Sequence, residues 1–262
     1  SNLAAAYGMA VTSTMVITTC LFFRLVQKKW GWSLPTATLM AGLFLLVEIP
    51  FFGANVVKIF HGAWFPLLIG GIFFLVMMTW EQGRQILARQ AATLTPPFAE
   101  FQKILEADPP QKIRGKAIFL TGNPNVVPAA LIHNIHHNKV LHTETVFLNI
   151  ATIEVPRVSN FDKVEFTKLG GGFYRIQAFF GFMEDPDVKK ILTLAQEQGF
   201  EYQFEDISFF LGRQKLIISD HPGLGRWRSA LFIFLSQNAL DAAAFFDIPS
   251  DQVIEVGVQL QL

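Results

Sequence analysis

The chain has 262 residues, 51% hydrophobic and only 16% charged, with 21 basic side chains balancing 21 acidic ones. Soluble domains carry about 25% charged residues, so this is not an ordinary soluble composition. The zero balance also lacks the basic excess of a nucleic-acid binder, and a single cysteine, Cys20, excludes a disulfide framework within the chain.

Charge is distributed unevenly. Residues 1–80 hold Arg24, Lys28, Lys29, Lys58 and one acid, Glu48, which leaves 17 of the 21 basic and 20 of the 21 acidic side chains to the remainder. The opening, SNLAAAYG, has no initiator Met, no basic n-region and no cleavage pattern. Either a leader has been removed or this is the C-terminal piece of a longer protein.

Three apolar runs come first, at about 1–23, 33–57 and 62–80, and only the second contains a charge, Glu48. A helix needs about 20 mostly apolar residues to cross the hydrocarbon core, so each is expected to span a bilayer. Buried helices of a large soluble core are the alternative. The first link carries Arg24, Lys28 and Lys29, the second Lys58 alone, and Arg84 and Arg89 follow Trp80. The excess of basic residues on cytoplasmic sides puts the first link and everything after the third span in the cytoplasm. Trp30, Trp32, Trp64 and Trp80 fall at span ends, where amphipathic rings favour the interface. Ala4, Gly8 and Thr12 repeat at four-residue spacing, a small-residue face that expects helical neighbours.

EQGRQILARQAATL continues the third helix out of the membrane, and TPP at 95–97 and DPP at 108–110 punctuate a linker around a short helix. Alternation then takes over. KAIFLTG and TVFLNIA are expected strands, with VPAALIHNIHHN a helix between them. KVEFTKL and FYRIQAFFGF form a hairpin around GGG, and DVKKILTLAQEQG is an amphipathic helix. ISFFLG and KLIIS are two strands, GRWRSALFIFLSQNAL a helix, and QVIEVGVQLQL a closing strand. The division expected is membrane helices over 1–82, a helical linker over 83–110, and an α/β domain over 111–262.

Glu48 is the most informative residue. A carboxylate near mid-span costs roughly 2.5–3.5 kcal/mol on insertion scales. It persists by facing a partner, the bundle interior or a watery pathway. Pro50 removes an N–H and frees the Leu46 carbonyl. A carboxylate beside loosened backbone suits a cation or proton; a packing hydrogen bond from a protonated Glu is the alternative. Thr12, Ser13, Thr14, Thr18 and Thr19 either line a pathway or bond backbone and neighbouring helices.

The stretch HNIHHNKVLH places His133 and His137 one helical turn apart, but zinc needs three or four convergent ligands. No Cys is near, so no metal site is expected there. LGGGFYR leads into a strand rather than a helix, against a phosphate loop. No nucleophile–base pairing stands out, so no enzyme is expected.

Taken together, SNLAAAYGMAVTSTM, VEIPFF.AN, G.W.P..IG...F..M.TW, VP.AL.HN..HNKVLH and IP...VIEVG resemble, in one collinear order, the C-terminal part of the bacterial KUP/HAK/KT potassium-uptake family. Relatives often carry Lys where His136 stands, which further weakens a metal reading. The resemblance implies a LeuT-like transporter bundle of twelve spans, of which this chain holds the last three, followed by a cytoplasmic α/β domain. It implies potassium uptake with protons across the inner membrane, with K+ and H+ as transported ions and no cofactor. It also implies a pathway role for Glu48, where some relatives have Asp; Tyr7, Thr12 and Thr14 are further pathway candidates. The lipid bilayer and the missing N-terminal helices are the implied partners, and a homodimer is an assembly it allows. A membrane-anchored regulatory or ligand-binding protein acting through its cytoplasmic domain is the alternative.

Overall fold

The computed structural model describes residues 2–218, 223–239, 242–246 and 248–261. Ser1, Ser219, Leu240 and Leu262, the ends of four expected elements, lie outside them. The chain divides into two compact units, 1–78 and 79–262.

The first unit holds α1 (Asn2–Lys28), α2 (Leu34–Val56), a short 3-10 turn at Ile59–His61 and the start of α3 (Trp64–Leu94). All three helices are long and apolar enough to cross a membrane. α1 buries Ala5, Met9, Thr12, Thr19 and Val26, and α2 buries Ala37, Ala41 and Glu48. Of the four-residue repeat, Thr12 is buried and Gly8 half-buried, but Ala4 is exposed. Gly8 is where the Asn55 side chain crowds in: a Cβ there would stand 2.7 Å from Asn55 Oδ1. At the α1–α2 turn, Phe22 meets Trp30, Trp32 and Phe44 edge-on at 6.2–6.3 Å. The membrane part of α3 is apolar all round, with Phe65, Phe73, Phe74 and Met77 all more than half exposed. Such a helix needs lipid or further helices around it.

The second unit contains the rest of α3 and α4 (Phe98–Ala107), then β1 (Gln111–Leu120), α5 (Ala129–Asn138), β2 (Val140–Ile153), β3 (Val164–Gly170), β4 (Phe173–Gly181), α6 (Val188–Glu197), β5 (Ile207–Ile217), α7 (Arg226–Gln237), α8 (Ala242–Phe245) and β6 (Val253–Gln261). The sheet runs β3-β4-β2-β1-β5-β6, with β3 antiparallel to β4 and every other pair parallel. Helices cover both faces, as a parallel sheet requires. Ile118, Val146, Leu148 and Ile176 pack on α6, whereas Ala117, Phe119 and Phe147 pack on α4 and α5. Alternate residues of β1 and β2 thus feed opposite cores.

One expectation is corrected. ISFFLGRQKLI is a single strand, β5, not two. Gly212 and the charges after it suggested a break, but β6 pairs with β5 continuously from Phe209↔Val253 to Ile217↔Gln261. The Arg213–Glu255 contact at 2.8 Å bridges the two strands across that point. The GGG turn is the expected hairpin: Gly170, Gly171 and Gly172 all have positive φ, and a Cβ on Gly172 would collide with the Thr143 carbonyl.

A partly buried ion pair pins the loop after β2. Lys163, 2% exposed, meets Glu184 Oε1 at 2.6 Å, while Glu184 Oε2 accepts from the Gly181 and Val158 N–H groups at 2.9 and 3.0 Å. The Lys163 hydrogen bond first, then those backbone donors, lower the Glu184 carboxyl from 4.5 to about 2. A carboxylate depressed on folding stabilises fully above its unfolded value and loses that contribution as pH falls through its folded value. Melting temperature should therefore decline from about pH 4.5 toward about 2. Glu184→Gln should start lower at neutral pH and lose less over that window. Equal declines in both proteins would show that other carboxyls set the acid response.

Candidate functional site

Glu48 sits on the face of α2 turned to α1 and is only 8% exposed. Thr19 of α1, 5% exposed, donates its hydroxyl to Glu48 Oε1 at 2.8 Å. Glu48 Oε2 is buried with no hydrogen-bond partner among the described residues. The carboxyl group thus has one oxygen held and one free. α2 runs through Pro50 unbroken. Leu46 is 73% exposed, so its side chain lies on the face away from Glu48.

The other candidates are placed differently. Thr12 shares the buried face of α1, but its hydroxyl bonds its own helix at the Gly8 carbonyl, 2.8 Å away. Thr14 does the same with the Ala10 carbonyl at 2.9 Å and is exposed, and Tyr7 is 72% exposed. The structure therefore brings Thr19 to Glu48, and none of Tyr7, Thr12 or Thr14 bonds to it. Thr19 was one hydroxyl among five in the sequence. A signal for it existed: Ala5, Thr12, Thr19 and Val26 recur every seven residues, which keeps them on one helix face.

The histidine stretch ends a helix. Asn134 is buried and donates to the Val140 carbonyl at 3.1 Å, Asn138 donates to Asn134 at 2.8 Å, and Lys139 closes the turn at φ 56°. His136 and His137 are exposed. Among the described residues no group of three or more His, Cys, Asp or Glu is arranged to hold a metal. His142, on β2, is half-buried; burial lowers its pKa, and its Nδ1 has no partner among the described residues.

In the second unit the strand order reverses between β1 and β5, the position where open α/β sheets form a crevice. A cavity of about 520 Å³ lies there, lined by Leu87, Leu120, Thr121, Asn123, Val127 and Ala129, among others. The continuation of α3 forms one wall. Leu87 packs with Leu224 and Phe232, and Gly83 lies against the Phe232 ring.

Residues 1–85 match the potassium-transporter integral membrane domain, and residues 114–262 match the K+ potassium transporter C-terminal domain. The chain belongs to the K+ potassium transporter family. It is 46% identical over 262 residues to a probable potassium transport system protein Kup of Chlorobaculum tepidum, covering all of this chain and 43% of that protein. A Kup protein of Chlorobium chlorochromatii is also 46% identical, with 42% of its length covered. Kup 2 of Chromobacterium violaceum is 43% identical, again with 42% covered. The chain thus spans about two fifths of the length of the curated relatives it matches. These transporter-family relatives are named for transport, not catalysis. The family match and the three apolar helices make this chain part of a membrane protein.

Proposed function

We propose that this chain is the C-terminal part of a bacterial potassium-uptake transporter that moves K+ together with protons across the inner membrane. The carrying observation is Glu48, a carboxyl group buried between two apolar helices with one oxygen unpartnered among the described residues. Such a group is costly inside a membrane and marks ion or proton routes. Its two states do different work: ionised, it attracts a cation; protonated, it is neutral and releases one. Alternation between them would link potassium passage to proton entry. Tyr7, Thr12 and Thr14 remain pathway candidates through neighbours outside this chain.

In this reading the three helices close a LeuT-like bundle whose remaining spans cover the exposed apolar faces of α1, α2 and α3. The basic first link and the α/β domain face the cytoplasm, following the placement of Arg24, Lys28, Lys29, Arg84 and Arg89. The lipid bilayer, those further helices and a second copy are its partners. The names of the relatives support potassium as the cargo.

The test is rubidium uptake by bacteria lacking their own potassium transporters, carrying the complete gene that encodes this sequence. Restored uptake that rises as external pH falls is expected. Well-expressed protein that restores no uptake at any pH would overturn the reading.

A further inference from the structure

We infer that Thr19 is a positioning residue for Glu48: its hydroxyl fixes one carboxyl oxygen and leaves the other as the atom that exchanges a proton or meets a cation. The inference rests on the reading of Glu48 as a transport group and adds to it the residue that orients it.

A threonine inside a helix ordinarily bonds the carbonyl one turn back, as Thr12 and Thr14 do. The Thr19 hydroxyl instead crosses to the neighbouring helix and donates to Glu48 Oε1 at 2.8 Å. Both side chains are buried, 5% and 8% exposed, so water does not compete for the contact. Branching at Cβ restricts the hydroxyl to few rotamers, which fixes the donor direction. The result is an asymmetric carboxyl group with Oε1 held and Oε2 buried without a partner among the described residues.

The chemistry of a hydroxyl suits a group that changes protonation state. It donates to a carboxylate and can accept from a carboxylic acid, so one contact serves both states. An ammonium could only donate, and would hold the carboxylate charged. Among the described residues no cation pairs with Glu48. α1, which packs on α2, carries charge only at Arg24 and Lys28, both beyond Thr19 toward its C-terminal end. α2 carries no charged group except Glu48. In the 3-10 region Lys58 bonds Asn55 Oδ1 at 3.4 Å and His61 follows, and α3 has no charge before Glu81. The neutral Thr19 donor is thus the contact that orients and tunes the carboxyl.

The experiment compares wild type, Thr19→Val, Thr19→Ser, Glu48→Gln and Thr19→Val/Glu48→Gln in the complete transporter. Initial rubidium uptake is measured across external pH at matched membrane levels. Thr19→Val keeps the shape and removes the donor. It should lower uptake about tenfold, the scale of one hydrogen bond to a charged group, and displace the midpoint of the pH profile. Thr19→Ser should restore both, and the double variant should be no worse than Glu48→Gln alone. If Glu48→Gln is impaired but Thr19→Val matches wild type, the positioning role is wrong and the Glu48 reading stands. If Thr19→Val lowers uptake without moving the profile, and Thr19→Ser does not rescue it, Thr19 only packs the helices and the inference falls. If Glu48→Gln itself behaves as wild type, the reading beneath the inference falls first.

Discussion

Glu48→Gln is expected to cut rubidium uptake by the complete transporter at least about tenfold, and to flatten what remains against external pH. Glutamine keeps the size of the side chain and an oxygen that can accept from Thr19 Oγ1, so the contact between α1 and α2 survives. It cannot become negative and cannot carry a proton. In place of Oε2, which has no partner among the described residues, it puts an amide N–H₂ that needs acceptors. Glu48→Asp keeps the charge but withdraws it by one methylene, away from the hydroxyl that holds it. It should retain part of the uptake and keep the pH dependence. The check is initial uptake at matched expression. Were Glu48→Gln to transport like wild type, the buried carboxyl group would be a packing feature of the helix pair, and the proton route would lie elsewhere.

Gly83→Val is expected to destabilise the second unit strongly. A Cβ on Gly83 would run into the Phe232 ring, which is itself fully buried against Trp80 and Leu87. Overpacking of this kind costs about 1–3 kcal/mol when the surroundings can adjust. The ring is fully buried, so it must turn or the helix must lift. Lifting would also uncover Leu87, and it would strain the 3.1 Å hydrogen bond from Arg228 to Thr79. The expected result is a clear fall in melting temperature of the purified protein. Phe232→Leu should relieve part of the damage, leaving Gly83→Val/Phe232→Leu more stable than the two single effects sum to. Strict additivity would mean that Gly83 and Phe232 do not share the contact.

The parts of this protein set by local pattern were legible in the sequence. The three apolar runs announce membrane helices because their composition is extreme. The α/β domain is visible from alternation at KAIFLTG and TVFLNIA, which become β1 and β2, and from the apolar stripe of α6. What failed was the reading of β5, where Gly212, Arg213 and Lys215 look like a loop. They are held in a strand by β6, which arrives from some 40 residues further along the chain. Pairing with a distant strand leaves no local trace. Glu48 stood out because a charge in an apolar run is conspicuous by itself. Thr19 did not, because five hydroxyls crowd the first helix and only the packing of α1 on α2 decides which one reaches across. The seven-residue spacing narrows the choice to Thr12 and Thr19, and the register of the pair then selects Thr19.

In the proposed function, protons drive potassium uptake through a carboxyl group between the first two helices of this chain. The direct test reconstitutes the complete transporter in liposomes with no potassium gradient and imposes an inward proton gradient. Accumulation of radioactive rubidium is then followed in wild type and in Glu48→Gln. Accumulation above equilibrium is expected in wild type, abolished by a protonophore and absent in Glu48→Gln. Rubidium that merely equilibrates in wild type, with or without the proton gradient, would contradict it.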